Sequence, residues 1–210
     1  MLDQIYSWFV EMVGPSTCAA CPEPITEGLF CPVCEVTVLP PMGTERAVAA
    51  YGGAASLAVV AMKYAGRVDL APRLGAAMAR VAAPLRGRID VVVPVPLHPR
   101  RLAERGFDQA ALLATPIARA LDVPRKVRAL ERLRDTPRQA SLDRSARVAN
   151  VVDAFHARRS EIEGLRVLLV DDVRTTGATL GAATDALYRS GAAGVVTLVF
   201  ASKDRGQTEG

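Results

Sequence analysis

Two adjacent carboxylates stand where an apolar segment gives way to small hydroxyl-bearing residues. Asp171 and Asp172 follow the aliphatic residues 167–170. Such a segment predicts a central strand of a parallel sheet, and functional groups collect at the carboxyl ends of such strands. The small residues that come next, before a predicted helix, are Thr175, Thr176, Gly177, Ala178 and Thr179.

A turn of small residues that opens a helix offers unpaired N–H groups and the positive end of the helix dipole to an anion, most naturally a phosphate. Two carboxylates facing that phosphate would repel it. We therefore expect Asp171 and Asp172 to hold sugar hydroxyls or a hydrated Mg²⁺ one step away. The spacing predicts a ribose 5-phosphate site.

Several other classes of site are disfavoured by motifs that the chain lacks. An apolar strand ending in two acids is also typical of a Walker B segment, but no G-x-x-x-x-G-K-[ST] occurs in the sequence. Neither a G-x-G-x-x-G nor a G-x-S-x-G occurs, and His98 and His156 are the only histidines, which disfavours a dinucleotide site and a hydrolase triad. The structural alternative that stays open is an acidic turn with a threonine cap.

A basic group follows a second predicted strand, residues 89–93, which ends at Pro94. Arginine presents a fork of donors that fits phosphate oxygens, so this group predicts a pyrophosphate site. A solvated helix face with Glu104 as the partner also explains part of it, and both interpretations stay open. The members of the group are His98, Arg100, Arg101 and Arg105.

All four cysteines fall in one short segment, as two C-x-x-C pairs. Two such pairs flanking a hairpin bring four thiolates to the corners of a tetrahedron, the geometry of structural Zn²⁺. Disulfides or a redox pair are the alternatives, and two C-x-x-C pairs among prolines in a chain without an export signal disfavour both. With four protein ligands the site is closed, hence structural. The ligands are Cys18, Cys21, Cys31 and Cys34.

The rest of the chain alternates predicted strands and helices, which predicts an α/β fold with a parallel sheet flanked by helices. Four parts are predicted: a helix over 1–15, a zinc ribbon over 16–41, the α/β domain over 42–203 and a flexible tail over 204–210. The predicted strands are 46–51, 89–93, 165–170 and 195–200, and the predicted helices are 54–64, 70–81, 107–121 and 176–190.

Charge and hydropathy indicate the kind of ligand and the cellular location. The net charge of +4 favours anionic ligands without naming one. No apolar run approaches the ~20 residues that span a bilayer, so no membrane insertion is expected. The N-terminal segment lacks a basic region and carries Asp3 and Glu11, which is the wrong pattern for a signal peptide and predicts a cytoplasmic protein.

Residues 167–180 resemble the phosphoribosyl diphosphate (PRPP) signature of type I phosphoribosyltransferases. Further segments, together with the four-cysteine ribbon, are similar to the ComF family, and the resemblance covers about 16–203. These segments are Met62 to Gly66, Val93 to Arg101, Glu104 to Ala110, Arg134 to Gln139 with Leu142, Arg147 and Asn150, and Ala154 with Phe155.

The resemblance implies a phosphoribosyltransferase-like domain that binds PRPP with Mg²⁺ behind a mobile hood loop near 125–147. A charged surface loop is the alternative interpretation of that segment, and it stays open. It implies catalytic roles for Asp171, Asp172 and Arg105. It implies contacts to PRPP from Lys63, His98, Arg100, Arg101, Arg134, Gln139 and residues 175–179. Two positions depart from the family pattern: Asp108 stands where Asn is common, and Arg174 where a neutral residue is usual.

Three functions follow as hypotheses. The first is transfer of phosphoribose from PRPP with release of pyrophosphate, and no general base for an acceptor is evident. The second, implied by the link between ComF relatives and DNA uptake, is an accessory that binds single-stranded DNA beside a helicase partner, with its PRPP pocket vestigial. The few aromatic residues, 5% of the chain, speak against this second hypothesis. The third is a PRPP sensor without turnover.

Overall fold

A computed structural model describes residues 16–42, 46–133 and 154–203. The predicted N-terminal helix, the predicted tail and most of the predicted hood loop lie outside these ranges. Within them the elements run in the order α1 Pro32–Glu35, β1 Ala47–Ala50, α2 Gly53–Tyr64, α3 Leu70–Ala82, a 3-10 turn Ala83–Leu85, β2 Val91–Pro94, α4 Pro99–Arg105, α5 Gln109–Leu121, β3 Leu130–Arg132, β4 Phe155–Ala157, α6 Arg159–Ile162, β5 Arg166–Arg174, α7 Ala178–Arg189 and β6 Gly194–Ser202.

The main sheet has four parallel strands in the order β1-β6-β5-β2. The predicted parallel α/β sheet is therefore confirmed. A separate two-stranded antiparallel sheet joins β3 to β4. Because β2 and β5 are parallel neighbours, the polar residues that follow each of them lie at one edge of the sheet.

Helices cover both faces of the sheet, as its strands require. Leu168 and Val170 pack in one buried cluster with residues of α3 and α5, while Val167 and Leu169 pack in a second cluster with residues of α7. This split follows from the two-residue period of a strand, which sends successive side chains to opposite faces. The later residues of β5 keep the same alternation, so Asp171 and Asp172 point to opposite faces of the sheet.

The cysteine segment packs against the α/β domain. Arg73 on α3 donates hydrogen bonds from Nη1 to the carbonyl oxygen of Thr17 at 2.8 Å and from Nη2 to that of Gly28 at 2.6 Å. Ala19 is buried in the same core cluster as the sheet, with Phe30 packed against it. The ribbon thus shares a hydrophobic core with the sheet.

Several element boundaries differ from the sequence prediction, and two of the differences bear on the site. The predicted helix at 107–121 begins at Gln109, and a separate helix, α4, precedes it. Helix α4 has Pro99 in its first turn and ends at Arg105. The next residue, Gly106, has a φ of 81°, and a glycine in this left-handed conformation commonly terminates a helix. The second difference is that β5 continues to Arg174 instead of ending at 170. Among the described residues no helix is long and apolar enough to cross a bilayer.

Candidate functional site

The longer β5 explains where the two acids lie. Strand β2 ends at Pro94, which is in register with Val170, so β5 extends four residues farther with only β6 beside it. Asp171 and Asp172 are the first two residues of this extension. Alternation places Asp172 on the face of Val170 and Asp171 on the opposite face, which α7 covers. The sequence predicted one shared role for the two acids, whereas the structure gives them different surroundings.

Asp172 is paired with a lysine. Asp172 is only 3% exposed. Lys63 is in the last turn of α2, and its Nζ lies 2.7 Å from Asp172 Oδ2. The contact is an ion pair without hydrogen-bond geometry, since Oδ2 accepts no hydrogen bond among the described residues. A buried carboxylate needs such a partner, and the lone pairs of Oδ2 are still not satisfied.

Asp171 is half-buried and accepts a hydrogen bond at Oδ1 from the backbone N–H of Asp172 at 2.8 Å. Burial and the neighbouring Asp172 carboxylate raise the pKa of Asp171 to about 8, and the Lys63 ammonium only partly offsets this. A carboxyl with so high a pKa, beside a second carboxylate and a lysine, is a candidate for a functional group.

Asp108 brings a third carboxyl to this edge. It caps α5, with Oδ1 accepting from the N–H of Ala111 at 3.1 Å and Oδ2 from the N–H of Leu97 at 3.2 Å. Burial is the main reason that the pKa of Asp108 is raised, and the Asp172 carboxylate raises it further. The departure from the family's Asn therefore adds negative charge beside Asp172, an effect that the sequence analysis did not predict.

Arg105 is oriented by two residues that the sequence analysis did not assign to the site. Its Nη1 donates to Gln109 Oε1 at 2.6 Å, and its guanidinium lies 5.4 Å from the centre of the Tyr64 ring. Gln109 is only 4% exposed, so its acceptor is fixed in place. Tyr64 adjoins Lys63 in the chain, so Arg105 contacts the same end of α2 that carries the lysine.

The other basic residues of the predicted pyrophosphate group lie on or next to α4. His98 caps the helix, its Nδ1 accepting from the N–H of Arg100 at 3.3 Å. Arg100 pairs with Glu104 at 3.1 Å with both side chains largely exposed, which is the contact expected of a solvated helix face. Arg101 is half-buried on the same helix.

The threonine-rich loop opens α7 as predicted, with the helix beginning at Ala178. Residues 173–180 line a small concavity, and the φ of Gly177 is 81°, a value that favours glycine. The Arg174 side chain covers this glycine: a Cβ at Gly177 would lie 2.9 Å from Arg174 Nε. A cation therefore already lies over the predicted phosphate loop.

The four cysteine sulfurs lie within 4.8 Å of one another, and none of the cysteines forms a disulfide. Cys21 Sγ is 3.7 Å from both Cys31 Sγ and Cys34 Sγ. A tetrahedron with Zn–S bonds of ~2.3 Å has edges of about 3.8 Å, so the sulfur positions fit zinc closely. The residues present therefore suit the Zn²⁺ that the sequence predicted.

The surroundings favour the thiolate at one corner of the cluster. Burial raises the pKa of Cys18, but hydrogen bonds from the N–H groups of Ala20 and Cys31 outweigh it and lower the pKa to about 6. Burial and the other three sulfurs raise the pKa of Cys34 to about 12. Four thiolates this close together repel one another, and a divalent cation at their centre removes that repulsion.

Two predicted contacts, Arg134 and Gln139, lie outside the described residues. The structure brings Lys63, Asp171, Asp172 and Arg105 to one edge, with residues 175–179 at the end of the same strand.

Comparison with known proteins supports the same grouping. The model of the phosphoribosyl transferase domain family matches residues 108–210. The "DNA utilization protein YhgH" of Salmonella typhimurium is 35% identical over 162 residues, covering 74% of this chain and 70% of that protein. "Competence protein F" of Haemophilus influenzae is 36% identical over 104 residues, covering 49% of this chain and 45% of that protein.

The chain belongs to the ComF family. Its main domain is phosphoribosyltransferase-like, as the family match and the parallel sheet together show. Among solved structures, glutamine PRPP amidotransferase from B. subtilis is 25% identical, with a TM-score of 0.43 over 61% of this chain and 25% of that protein.

Proposed function

We propose that this ComF-family protein binds PRPP with Mg²⁺ at the edge formed by β2 and β5. The observation that carries the proposal is the Lys63–Asp172 pair beside Asp171, with the threonine-rich loop continuing from the same strand. A ribose phosphate needs acceptors for its hydroxyls next to donors for its phosphate, and this edge supplies both.

Each part of PRPP has a matching group. The loop of residues 175–179 and the first turn of α7 would hold the 5-phosphate, with Arg174 as an additional cation. Asp171 shares its sheet face with α7, so its carboxyl is the better placed acceptor for a ribose hydroxyl. Arg105, His98 and Arg101 would meet the pyrophosphate. The proposal keeps Arg134 and Gln139 as contacts made by the hood loop.

The three carboxyl groups at this edge suit Mg²⁺ as ligands. Asp171 and Asp172 share the Lys63 ammonium, and Asp108 adds a third carboxyl group beside Asp172, which leaves excess negative charge when all three are ionised. Hard carboxylate oxygens are ligands that Mg²⁺ accepts, usually with phosphate oxygens and water completing its shell. When bound, the metal would neutralise charge on the pyrophosphate.

Turnover would be a displacement at ribose C1. A nucleophile forms a bond to C1 while the bond from C1 to the pyrophosphate oxygen breaks, and the electron pair leaves with pyrophosphate. Arg105 would stabilise the charge on that leaving group, and the acids would hold the ribose. A PRPP sensor would use the same contacts without the displacement.

The names of the relatives suggest the biological setting. One is called a DNA utilization protein and another a competence protein. On that basis we propose that this chain also serves DNA uptake or DNA use in the cytoplasm, with Zn²⁺ as a structural ion in its four-cysteine ribbon. A reducing compartment suits four cysteines without disulfides.

A single-stranded DNA accessory with a helicase partner is the second candidate, favoured by those names. Arg132 on β3, with its guanidinium 5.5 Å from the centre of the Phe155 ring, is the described residue that we propose for such a contact. Arg138 and Arg144, outside the described residues, belong to the same basic segment. DNA affinity would then fall steeply with salt and weaken on substitution of these arginines.

Titration calorimetry tests the PRPP proposal. Zinc-loaded protein is titrated with PRPP, with and without Mg²⁺, beside an Asp171→Asn, Asp172→Asn double variant and an Asp185→Asn control. We expect binding that requires Mg²⁺, is lost in the double variant and persists in the control. Absence of heat and of thermal stabilisation in folded wild-type protein contradicts the proposal and leaves the DNA accessory as the leading candidate.

A further inference from the structure

The first turn of α2 receives its cap from the cysteine ribbon. Its N-cap position is Gly52, which has no side chain to accept a hydrogen bond. The hydroxyl of Thr37, 17 residues before Ala54 in the chain, accepts the Ala54 N–H at 2.9 Å instead. A side-chain oxygen at this place satisfies one of the unpaired donors that every helix start exposes. The α2 helix is thus capped by a residue that the zinc ribbon positions.

Thr37 is in turn held by a cysteine of the cluster. Its hydroxyl donates to the carbonyl oxygen of Cys34 at 2.7 Å, and its N–H donates to the same oxygen at 3.0 Å. Donation to Cys34 fixes the hydroxyl rotor and leaves a lone pair for Ala54. Because Cys34 is one of the four candidate zinc ligands, the metal site determines where this cap lies.

The contact between ribbon and helix is close. At Gly53, the first residue of α2, a Cβ would collide with the carbonyl oxygen of Thr37, and the φ of 47° also favours glycine. The buried residues of α2 are Ala54, Ala55, Ala58, Val59 and Met62, so the first three on that face are all alanines. Because an alanine offers little side-chain shape to interlock with neighbouring elements, the contact with Thr37 helps to fix the helix start along its axis.

The other end of α2 carries the lysine of the site. Lys63 follows Ala54 by nine residues, about 14 Å along a helix, and its ammonium reaches Asp172. A helix held at its first turn places its last turn within narrow limits, whereas a frayed start allows the whole element to shift.

We infer that Thr37 is a positioning residue, which links the cysteine cluster to the Lys63–Asp172 pair through α2. The linkage is a property of the protein itself; its effect on a ligand rests on the proposed PRPP function. The ribbon therefore has a role in assembling the carboxylate site, in addition to stabilising the fold.

The chain contains three lysines, Lys63, Lys126 and Lys203, which makes the linkage measurable without any ligand. The Lys63 side chain is 11% exposed and should react slowly with acetic anhydride. Lys126, which pairs with Glu161, and exposed Lys203 serve as internal references. Acetylation rates are read by peptide mass spectrometry in zinc-loaded wild type, Thr37→Val and Thr37→Ser.

We expect Thr37→Val to raise the Lys63 rate about fivefold, the usual scale of losing a cap, with Lys126 and Lys203 unchanged and zinc retained. Thr37→Ser, which keeps the hydroxyl, should behave as wild type. Protection of Lys63 that is unchanged in Thr37→Val overturns the inference. If the acetylation of Lys126 also accelerates, Thr37→Val has loosened the protein in general. The variant Thr37→Ala, which has no branched methyl group to crowd Ala54, is then measured in place of Thr37→Val and judged by the same criteria.

PRPP titration of the same proteins separates the two proposals. If wild type binds PRPP, Thr37→Val should bind it severalfold more weakly and Thr37→Ser normally. If wild type does not bind PRPP, the proposed function fails while the labelling result still decides the linkage. Equal PRPP affinity in all three proteins overturns the functional half of the inference.

Discussion

Lys63 Nζ and Asp172 Oδ2 lie 2.7 Å apart, and this pair joins the last turn of α2 to the end of β5. Both side chains are nearly inaccessible to solvent. Asp171 lies close enough for its pKa to respond to both the ammonium and the carboxylate, and the pKa of Asp108 responds to the Asp172 carboxylate. The stability and the ligand affinity of this edge should therefore depend on one lysine.

Lys63→Met should lower the free energy of unfolding by about 3 kcal/mol at pH 8, because it leaves a buried carboxylate without its partner. Urea denaturation measures it. The Lys63→Met, Asp172→Asn double variant should lose less than the two single variants combined. Losses that simply add would argue against the ion pair as the cause.

Asp171 should make stability fall as the pH rises. Its pKa is about 8 in the folded protein, against ~3.9 for an aspartate in an unfolded chain. Between those values the folded state holds a proton that the unfolded state has released, so its contribution is greatest below pH 4 and is lost as the pH rises to 8. Denaturation curves from pH 5 to pH 8 should slope less for Asp171→Asn than for wild type.

The surface variant Asp185→Asn is the control for that measurement, since Asp185 is exposed on α7. It should keep the slope of wild type. A wild-type slope in Asp171→Asn would mean that another group carries the proton.

Zinc should bind at one ion per chain. The purified protein should release a single Zn²⁺ when its thiols are blocked with a mercurial reagent, and Cd²⁺ in its place should give an ultraviolet sulfur-to-metal charge-transfer band, typical of thiolate ligation. Cys18→Ser should abolish stoichiometric binding, because the remaining three sulfurs leave the tetrahedron open. Full zinc content in Cys18→Ser would contradict the four-sulfur site.

Arg174 should strengthen binding of the 5-phosphate. Its guanidinium lies over Gly177 in the loop, so Arg174→Gln should weaken PRPP binding about tenfold, which is about 1.4 kcal/mol. Affinity for pyrophosphate alone should change little. Arg189→Gln, at the far end of α7, is the control. Similar losses for PRPP and pyrophosphate would place Arg174 elsewhere than on the 5-phosphate.

Much of the architecture follows from the sequence because parallel sheets have a strong local signature. The aliphatic run at 167–170 predicted a central strand and the segment 195–200 predicted another strand, and the two are neighbours in the sheet. The four cysteines likewise predicted their own cluster, since two C-x-x-C pairs close together have few other arrangements. These features depend on residues near one another in the chain.

The features that the sequence did not predict depend on contacts between distant segments. Nothing local to Lys63 indicates that it meets Asp172, and nothing local to Thr37 indicates that it caps a helix. Gln109 was missed because its part is to orient Arg105, one turn earlier. The separate roles of Asp171 and Asp172 became visible only once β5 was seen to run past the end of β2.

The most direct test of the central claim is a ³¹P NMR titration of PRPP with the zinc-loaded protein in the presence of Mg²⁺. The method resolves the 5-phosphate from the two phosphates of the pyrophosphate. We predict that all three resonances shift or broaden with wild type and that none does with the Asp171→Asn, Asp172→Asn double variant. Three unchanged resonances with folded wild-type protein would contradict PRPP binding at this site.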